Sequence, residues 1–248
     1  MKFLTFLVWM PLVFGGDSAR TPVIVELFTS EGCSSCPPAD ELLARLQKSQ
    51  PVPNVEIIAL EEHVDYWNDL GWADPFSARD YRVRQNDYAR VFGVDSVYTP
   101  QMVVNGMAGF SGSDSAEAYA QIGRAAVPSP SGVRLSLHPN AKNSESVDLA
   151  VRCNIGPGGK TADVYLAITE DNLSTEVRRG ENSGRTLRHM AVVRSLGGIG
   201  KLDAGGHFEG SPSLQFKPAW KREDLRAVVF VQERVSRKIL AAASLTVR

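Results

Sequence analysis

Thr29-Ser30-Glu31-Gly32-Cys33-Ser34-Ser35-Cys36-Pro37-Pro38 is the stretch on which the reading of this chain turns. The β-rich apolar run Val23-Ile24-Val25-Glu26-Leu27-Phe28 precedes it. Asp40-Glu41-Leu42-Leu43-Ala44-Arg45-Leu46 follows, with Leu42, Leu43 and Leu46 on one helical face. A Cys-x-x-Cys therefore falls where a strand gives way to a helix. Pro37 and Pro38 suit the first turn of that helix, where backbone N–H groups have no partner in any case. Two cysteines three apart at such a place can close a small disulfide, and the helix N-terminus favours a thiolate on the first of them. Pro51-Val52-Pro53 ends the helix, and residues 55–60 form a second apolar strand. Strand, helix and strand in this order argue for a right-handed parallel βαβ unit.

Working outward, residues 61–75 are rich in aromatic and acidic side chains, among them His63, Asp65, Trp67, Trp72 and Asp74, at the strand edge where α/β sheets place their sites. A helix is expected over 77–92, with Arg82, Arg84 and Arg90 toward solvent and Tyr81, Tyr88 and Val91 inward. Thr99-Pro100 precedes a strand over 101–104, Asn105-Gly106 is a hairpin turn into a short strand near 107–110, and Asp114 with Glu117 starts a helix running to about 127. Residues 128–132, Pro-Ser-Pro-Ser-Gly, have linker composition. Beyond them the period changes. Short alternating or β-branched runs at 133–138, 147–153, 162–169, 187–194, 206–216, 226–232 and 239–247 imply an antiparallel sandwich. The expected fold class is thus an α/β domain over 20–127 followed by an all-β sandwich-like domain over 133–248.

The composition, 43% hydrophobic and 22% charged with a net charge of −1, is that of a globular protein and gives no reason to expect nucleic-acid binding. The charge is unevenly spread: residues 21–127 carry 7 Lys/Arg against 15 Asp/Glu, and residues 133–248 carry 18 against 12. Opposite signs on the two halves suit their docking on each other. Residues 1–19 have the form of an export signal: Lys2, an apolar run over 3–14, then the small pair Gly15-Gly16. That run is too short to span a bilayer permanently. Export implies a periplasmic or secreted protein in an oxidising compartment, where a disulfide persists.

A lone Cys-x-x-Cys has several meanings: half of a zinc site, a redox pair, or coincidence. The remaining Cys153 and four scattered histidines supply no second pair at metal spacing, so no metal site and no cofactor is assigned. The βαβ context is the one that makes the motif a redox signal.

The order strand, Cys-x-x-Cys helix, strand, helix, Thr-Pro, hairpin, helix resembles the thioredoxin superfamily. The whole chain is similar to a bacterial exported family of unknown function that joins such a domain to a β-rich one. The segments that carry this likeness are residues 26–37, His63-Val64-Asp65-Tyr66-Trp67, Tyr98-Thr99-Pro100-Gln101 and Gly180-Glu181-Asn182-Ser183-Gly184. The resemblance implies that Cys33 is the attacking and more exposed thiol, that Cys36 resolves the mixed disulfide, and that a cis Pro100 sets the Thr99 backbone to pair with a substrate peptide. The Ser34-Ser35 spacer departs from familiar members, which carry Gly-Pro, Gly-His or Pro-His there. With no histidine between the cysteines and Glu31 close by, Cys33 is expected to be less acidic than in a strong oxidant.

His63 and Asp65 are candidates for proton transfer, against the plainer reading that they cap the packing of Trp67 and Trp72. Arg84 and Gln85 read as supports for the aromatic loop, Cys153 as an inert core thiol, His189 as a core histidine, and Arg178, Arg179, Arg185 and Arg188 as a solvated or docking face. The expected function is thiol–disulfide exchange on other exported proteins through Cys33 and Cys36. Two alternatives stand beside it: a chaperone holding Cu(I) or another soft metal on the cysteines and His63, and a binding protein whose disulfide is merely structural.

Overall fold

The structure is a computed structural model and describes residues 20–128, 132–140, 146–156 and 161–247. The expected export signal over 1–19 lies outside them, as does part of the expected linker. Strand β1 (Thr21–Thr29) pairs in parallel with β2 (Val55–His63), and α1 (Pro37–Ser49) connects them. Both strands are buried almost throughout, which explains their continuous apolar reading. After α2 (Arg79–Phe92) come β3 (Gln101–Val104) and β4 (Ala108–Ser111), a hairpin that adds to β1 in antiparallel. Helix α3 (Ser115–Ala125) starts at an Asp114 cap that accepts from the Glu117 N–H at 3.0 Å, as the sequence indicates.

Among the described residues of the second half, the regular elements are one short 3₁₀ turn and ten strands: β5 (Gly132–Pro139), β6 (Val147–Asn154), β7 (Ala162–Glu170), β8 (Leu173–Glu176), β9 (Thr186–His189), β10 (Val192–Lys201), β11 (His207–Gly210), β12 (Ser213–Leu214), β13 (Leu225–Glu233) and β14 (Ile239–Thr246). The expected strand over 187–194 is in fact two, because Ala191 takes a left-handed conformation (φ 59°) between β9 and β10. The stretch over 206–216 divides into β11 and β12, and β8 lies where the sequence indicates no strand.

The expectation of an α/β thioredoxin-like domain followed by a separate all-β sandwich is overturned by strand pairing. One mixed eight-stranded sheet runs β14-β13-β7-β10-β2-β1-β3-β4, four strands from each half of the chain. The join is β10 against β2, where Val192 pairs with Glu61 in parallel and the Glu61 N–H donates to the Ala191 carbonyl at 2.9 Å. With fourteen strands and three α-helices among the described residues, the molecule is mostly β. The physical reason is that β2 carries a free ladder edge at its C-terminal end, and β10 pairs with it there, at Glu61. Periodicity shows that a segment is a strand but not which distant strand it will meet.

Packing follows the sheet rather than the sequence halves. Helices α1 and α3 bury Leu42, Leu43, Leu46, Ala118 and Ile122 against Val23, Val25 and Leu27. On the other face, Ile24, Phe28, Tyr81 and Tyr88 share one apolar cluster with Ala167, Val193, Val228 and Phe230, so this core is built from both halves. A third cluster lies between β6 and the β7–β13 pair and contains Cys153. The sheet curls far enough for the Ile239 N–H to donate to the Asn105 carbonyl at 2.9 Å. There Gly106 (φ +65°) leaves no room for a side chain, since a Cβ would fall 2.0 Å from the Arg237 carbonyl oxygen.

Candidate functional site

Cys36 is the N-cap of α1, and Cys33 lies in the turn before it, with the Cys36 N–H donating to the Cys33 carbonyl at 3.2 Å. The two form a disulfide with Cα atoms 5.4 Å apart, at the end of β1. Pro37 and Pro38 take the first two helical positions and contribute no N–H there. The Cys33 sulfur is 3.3 Å from the hydroxyl of Ser35, which is exposed along with Ser34. Both cysteines are 0% exposed, so Cys33 is not the more exposed of the two as expected.

Three segments form the roof. The 65–72 loop brings Trp67 against Gly32, whose added Cβ would meet Trp67 Cβ at 3.0 Å. Trp67 Nε1 donates to Thr99 Oγ1 at 2.8 Å, linking that loop to the Thr99–Pro100 peptide, which is cis. Gly112 packs between Pro100 and Ala39, so the cis peptide sits beside the start of α1. The third segment is the 180–184 turn from the second half. Asn182, fully buried, donates through Nδ2 to the carbonyls of Glu31 and Cys33, both at 2.9 Å, and the Ser34 N–H donates to Glu181 Oε2 at 3.0 Å. Gly71 (φ +108°) and Gly180 (φ +79°) let the two loops touch, since a Cβ on Gly71 would lie 3.2 Å from Gly180 Cα.

Beneath this roof lies a buried cluster of ionisable groups. His63 Nδ1 is 2.7 Å from Asp74 Oδ2, which also accepts from the Glu31 N–H at 2.8 Å. His189 Nδ1 is 2.8 Å from Glu61 Oε1, and its Nε2 is 3.2 Å from Glu31 Oε1. Trp72 Nε1 donates to Glu31 Oε2 at 2.7 Å, and the Met190 N–H donates to Glu61 Oε2 at 3.0 Å. Burial opposes charge on His63, but the Asp74 carboxylate outweighs it and raises the ring well above its ordinary range. The same contest at His189, won by Glu61, lifts it to about 10. Glu61 and Asp74 are held below the usual carboxylate range because His189 and His63 overcome their desolvation.

Asp65 is not part of this cluster; it pairs with Arg82 Nε at 3.0 Å. Among the described residues the group with metal-ligand spacing is Glu61, His63 and His189, and the cysteines are not in it. Arg84, expected at the surface, is 5% exposed and bridges Glu26 (Nε–Oε1 2.5 Å), Tyr88 and Gln232, while Val91, expected inward, is 41% exposed. Gln85 supports the Tyr98 carbonyl at 2.8 Å. Cys153 is a free buried thiol, pushed up to about 11 by burial.

The chain matches, over residues 24–232, the family described as Protein of unknown function (DUF1223). It belongs to the DUF1223 family. Two solved structures resemble this DUF1223 chain across its length. One is protein AGR_C_4864 from Agrobacterium tumefaciens: 27% identical, covering 92% of this chain and 96% of that one, TM-score 0.69. The other is HBP35 of Porphyromonas gingivalis: 17% identical, covering 92% and 76%, TM-score 0.65, a likeness of fold alone. None of the curated proteins matches the chain.

Sequence reasoning missed His189 as a site residue because a lone histidine in an apolar strand carries no local signal. It gave Asn182 and Glu181 no role, since their partners lie on the far side of the chain. Glu31 was weighed only as a charge beside Cys33, whereas its carboxylate turns toward Trp72 and His189.

Proposed function

We propose that this DUF1223 protein is exported to the periplasm or beyond and exchanges thiols and disulfides with other exported proteins through Cys33 and Cys36. The observation that carries the reading is the Cys33–Cys36 disulfide at the end of a parallel strand pair, with the cis Thr99–Pro100 peptide tied to it through Trp67. In the reduced protein the Cys33 thiolate attacks a substrate disulfide, forming a mixed disulfide and releasing one substrate thiolate. Cys36 then attacks the Cys33 sulfur, the ring closes, and the second substrate thiolate leaves; two electrons pass from the pair to the substrate. The same steps in reverse oxidise a substrate dithiol.

Two features support a working pair rather than a passive crosslink. Ser35 Oγ lies where its hydroxyl can donate to a Cys33 thiolate. One turn after Cys36 on α1, the buried Asp40 accepts from Thr29 Oγ1 at 2.6 Å, and burial with the Glu61 carboxylate pushes it up to about 7. Its i, i+4 spacing from Cys36 puts this carboxyl on the same face of α1, and we assign it as the group that takes the Cys36 proton. With both cysteines 0% exposed, a surrounding segment has to move for a substrate to enter, and the 180–184 turn, bonded to the Glu31 and Cys33 carbonyls, is the one we assign. The reduction potential tests the assignment. A value above about −270 mV is expected of an exchange centre, and one below about −300 mV would make the bond a structural crosslink.

A further inference from the structure

Glu61 and His63 stand on β2 and His189 on β9, so of these three side chains in the buried cluster the first half supplies two and the second half one. Their inner atoms converge. Glu61 Oε1 lies 2.8 Å from His189 Nδ1 and 3.5 Å from His63 Nε2, and one ligand atom from each residue lies within 4.8 Å of the others. His63 Nε2, fully buried, has no hydrogen-bond partner among the described residues and points into this space.

The outer atoms are as informative as the inner ones. His63 Nδ1 rests on Asp74, and His189 Nε2 rests on Glu31. Glu61 Oε2 is held by the Met190 N–H. Both supporting carboxylates are themselves anchored, Asp74 by the N–H groups of Glu31 and Phe76, and Glu31 by Trp72 Nε1. A histidine whose far nitrogen is backed by a carboxylate is the usual second shell of an imidazole bound to a metal, and here both histidines have one.

We propose that Glu61, His63 and His189 form a binding site for a divalent transition-metal ion, with Asp74 and Glu31 orienting the two imidazoles. Two imidazoles and a carboxylate suit zinc among the ions of this class. Ligand atoms bound at about 2.0–2.2 Å around a tetrahedral ion lie roughly 3.3 Å apart. The His63–Glu61 spacing of 3.5 Å already fits, and the His189–Glu61 pair opens slightly when an ion replaces its hydrogen bond. The fourth position falls to water. Such an ion would pin β9 to β2 directly under the disulfide roof, and it uses neither cysteine, so the site stands or falls apart from the exchange chemistry.

The test is metal content of the full chain, produced in zinc-supplemented medium and transferred to metal-free buffer, with cobalt(II) as a second, spectroscopic probe. About one zinc per chain is expected in the wild type and in the Cys33→Ser/Cys36→Ser double variant, with loss in His189→Gln and His63→Gln. Asp74→Asn should bind about 10–100-fold more weakly. Should the histidine variants fail to fold, cobalt absorption of the double cysteine variant decides: d–d bands without sulfur charge transfer support the site. A wild type that retains no zinc and gives no cobalt bands, an ion lost with the cysteines, or an ion retained by both folded histidine variants would overturn it.

Discussion

Residue by residue, chemistry concentrates in a few buried groups whose surroundings set their behaviour. Asp40 is the clearest. Its folded pKa, raised by burial to about 7, lies above that of an unfolded carboxyl, so the folded state binds the proton more tightly. The stability it contributes is present below about pH 4 and is lost as pH rises through 7. Denaturant titrations of wild type and Asp40→Asn should therefore diverge between pH 4 and 8, the variant gaining relative stability on the order of 2–4 kcal/mol as pH rises. Parallel curves would remove Asp40 as a poised proton acceptor. Ser35 lies beside Cys33, its hydroxyl 3.3 Å from the sulfur. Losing one hydrogen bond of about 1 kcal/mol to the thiolate in Ser35→Ala should raise the Cys33 pKa by roughly 0.7, read from the pH dependence of alkylation in the reduced protein. An unchanged pKa would mean that the hydroxyl does not face the thiolate.

At the scale of elements, the 180–184 turn is tied to the segment that carries the disulfide. Asn182 holds it down with two buried hydrogen bonds to the very backbone that carries Cys33. Asn182→Ala leaves both carbonyls without that donor, at a cost of about 1–3 kcal/mol, and should speed reduction of the disulfide by dithiothreitol. A rate equal to wild type would show that the turn does not limit access. Much of this level was legible in the sequence. The apolar runs, the Pro37-Pro38 start, the Asp114 cap and the Asn105-Gly106 turn announce β1, α1, β2, α3 and the β3–β4 hairpin through local chemistry. Arg84 was misplaced because a charged side chain on a helix is exposed by default, and nothing local shows Glu26, Glu62 and Gln232 waiting for it. His189 escaped for the same reason: its partners Glu61 and Glu31 come from another part of the chain.

For the whole molecule, the continuous sheet replaces the picture of two independent domains. The β2–β10 join and the core shared by Phe28, Tyr88, Val193 and Phe230 make each half the cover of the other. Residues 20–127 alone would lose the β10 pairing at Glu61 and expose half of that core, so this fragment should not unfold cooperatively, whereas the full chain should melt in one transition by calorimetry. Arg84 belongs to this scale too, because it ties Glu26 and Glu62 to Gln232 of β13. Arg84→Met takes the guanidinium away from the buried Glu26 carboxylate and should cost about 3–5 kcal/mol by denaturant titration, far more than an exposed charge. A loss below about 1 kcal/mol would mean that the two halves are not braced there.

All of this surrounds one claim, that Cys33 and Cys36 exchange electrons with other proteins. Insulin reduction tests it most directly. The full chain should accelerate precipitation of insulin by dithiothreitol well beyond the uncatalysed rate, and Cys33→Ser should return it to that baseline. A wild-type chain no faster than dithiothreitol alone, under conditions where its own disulfide is reduced, would contradict the assignment.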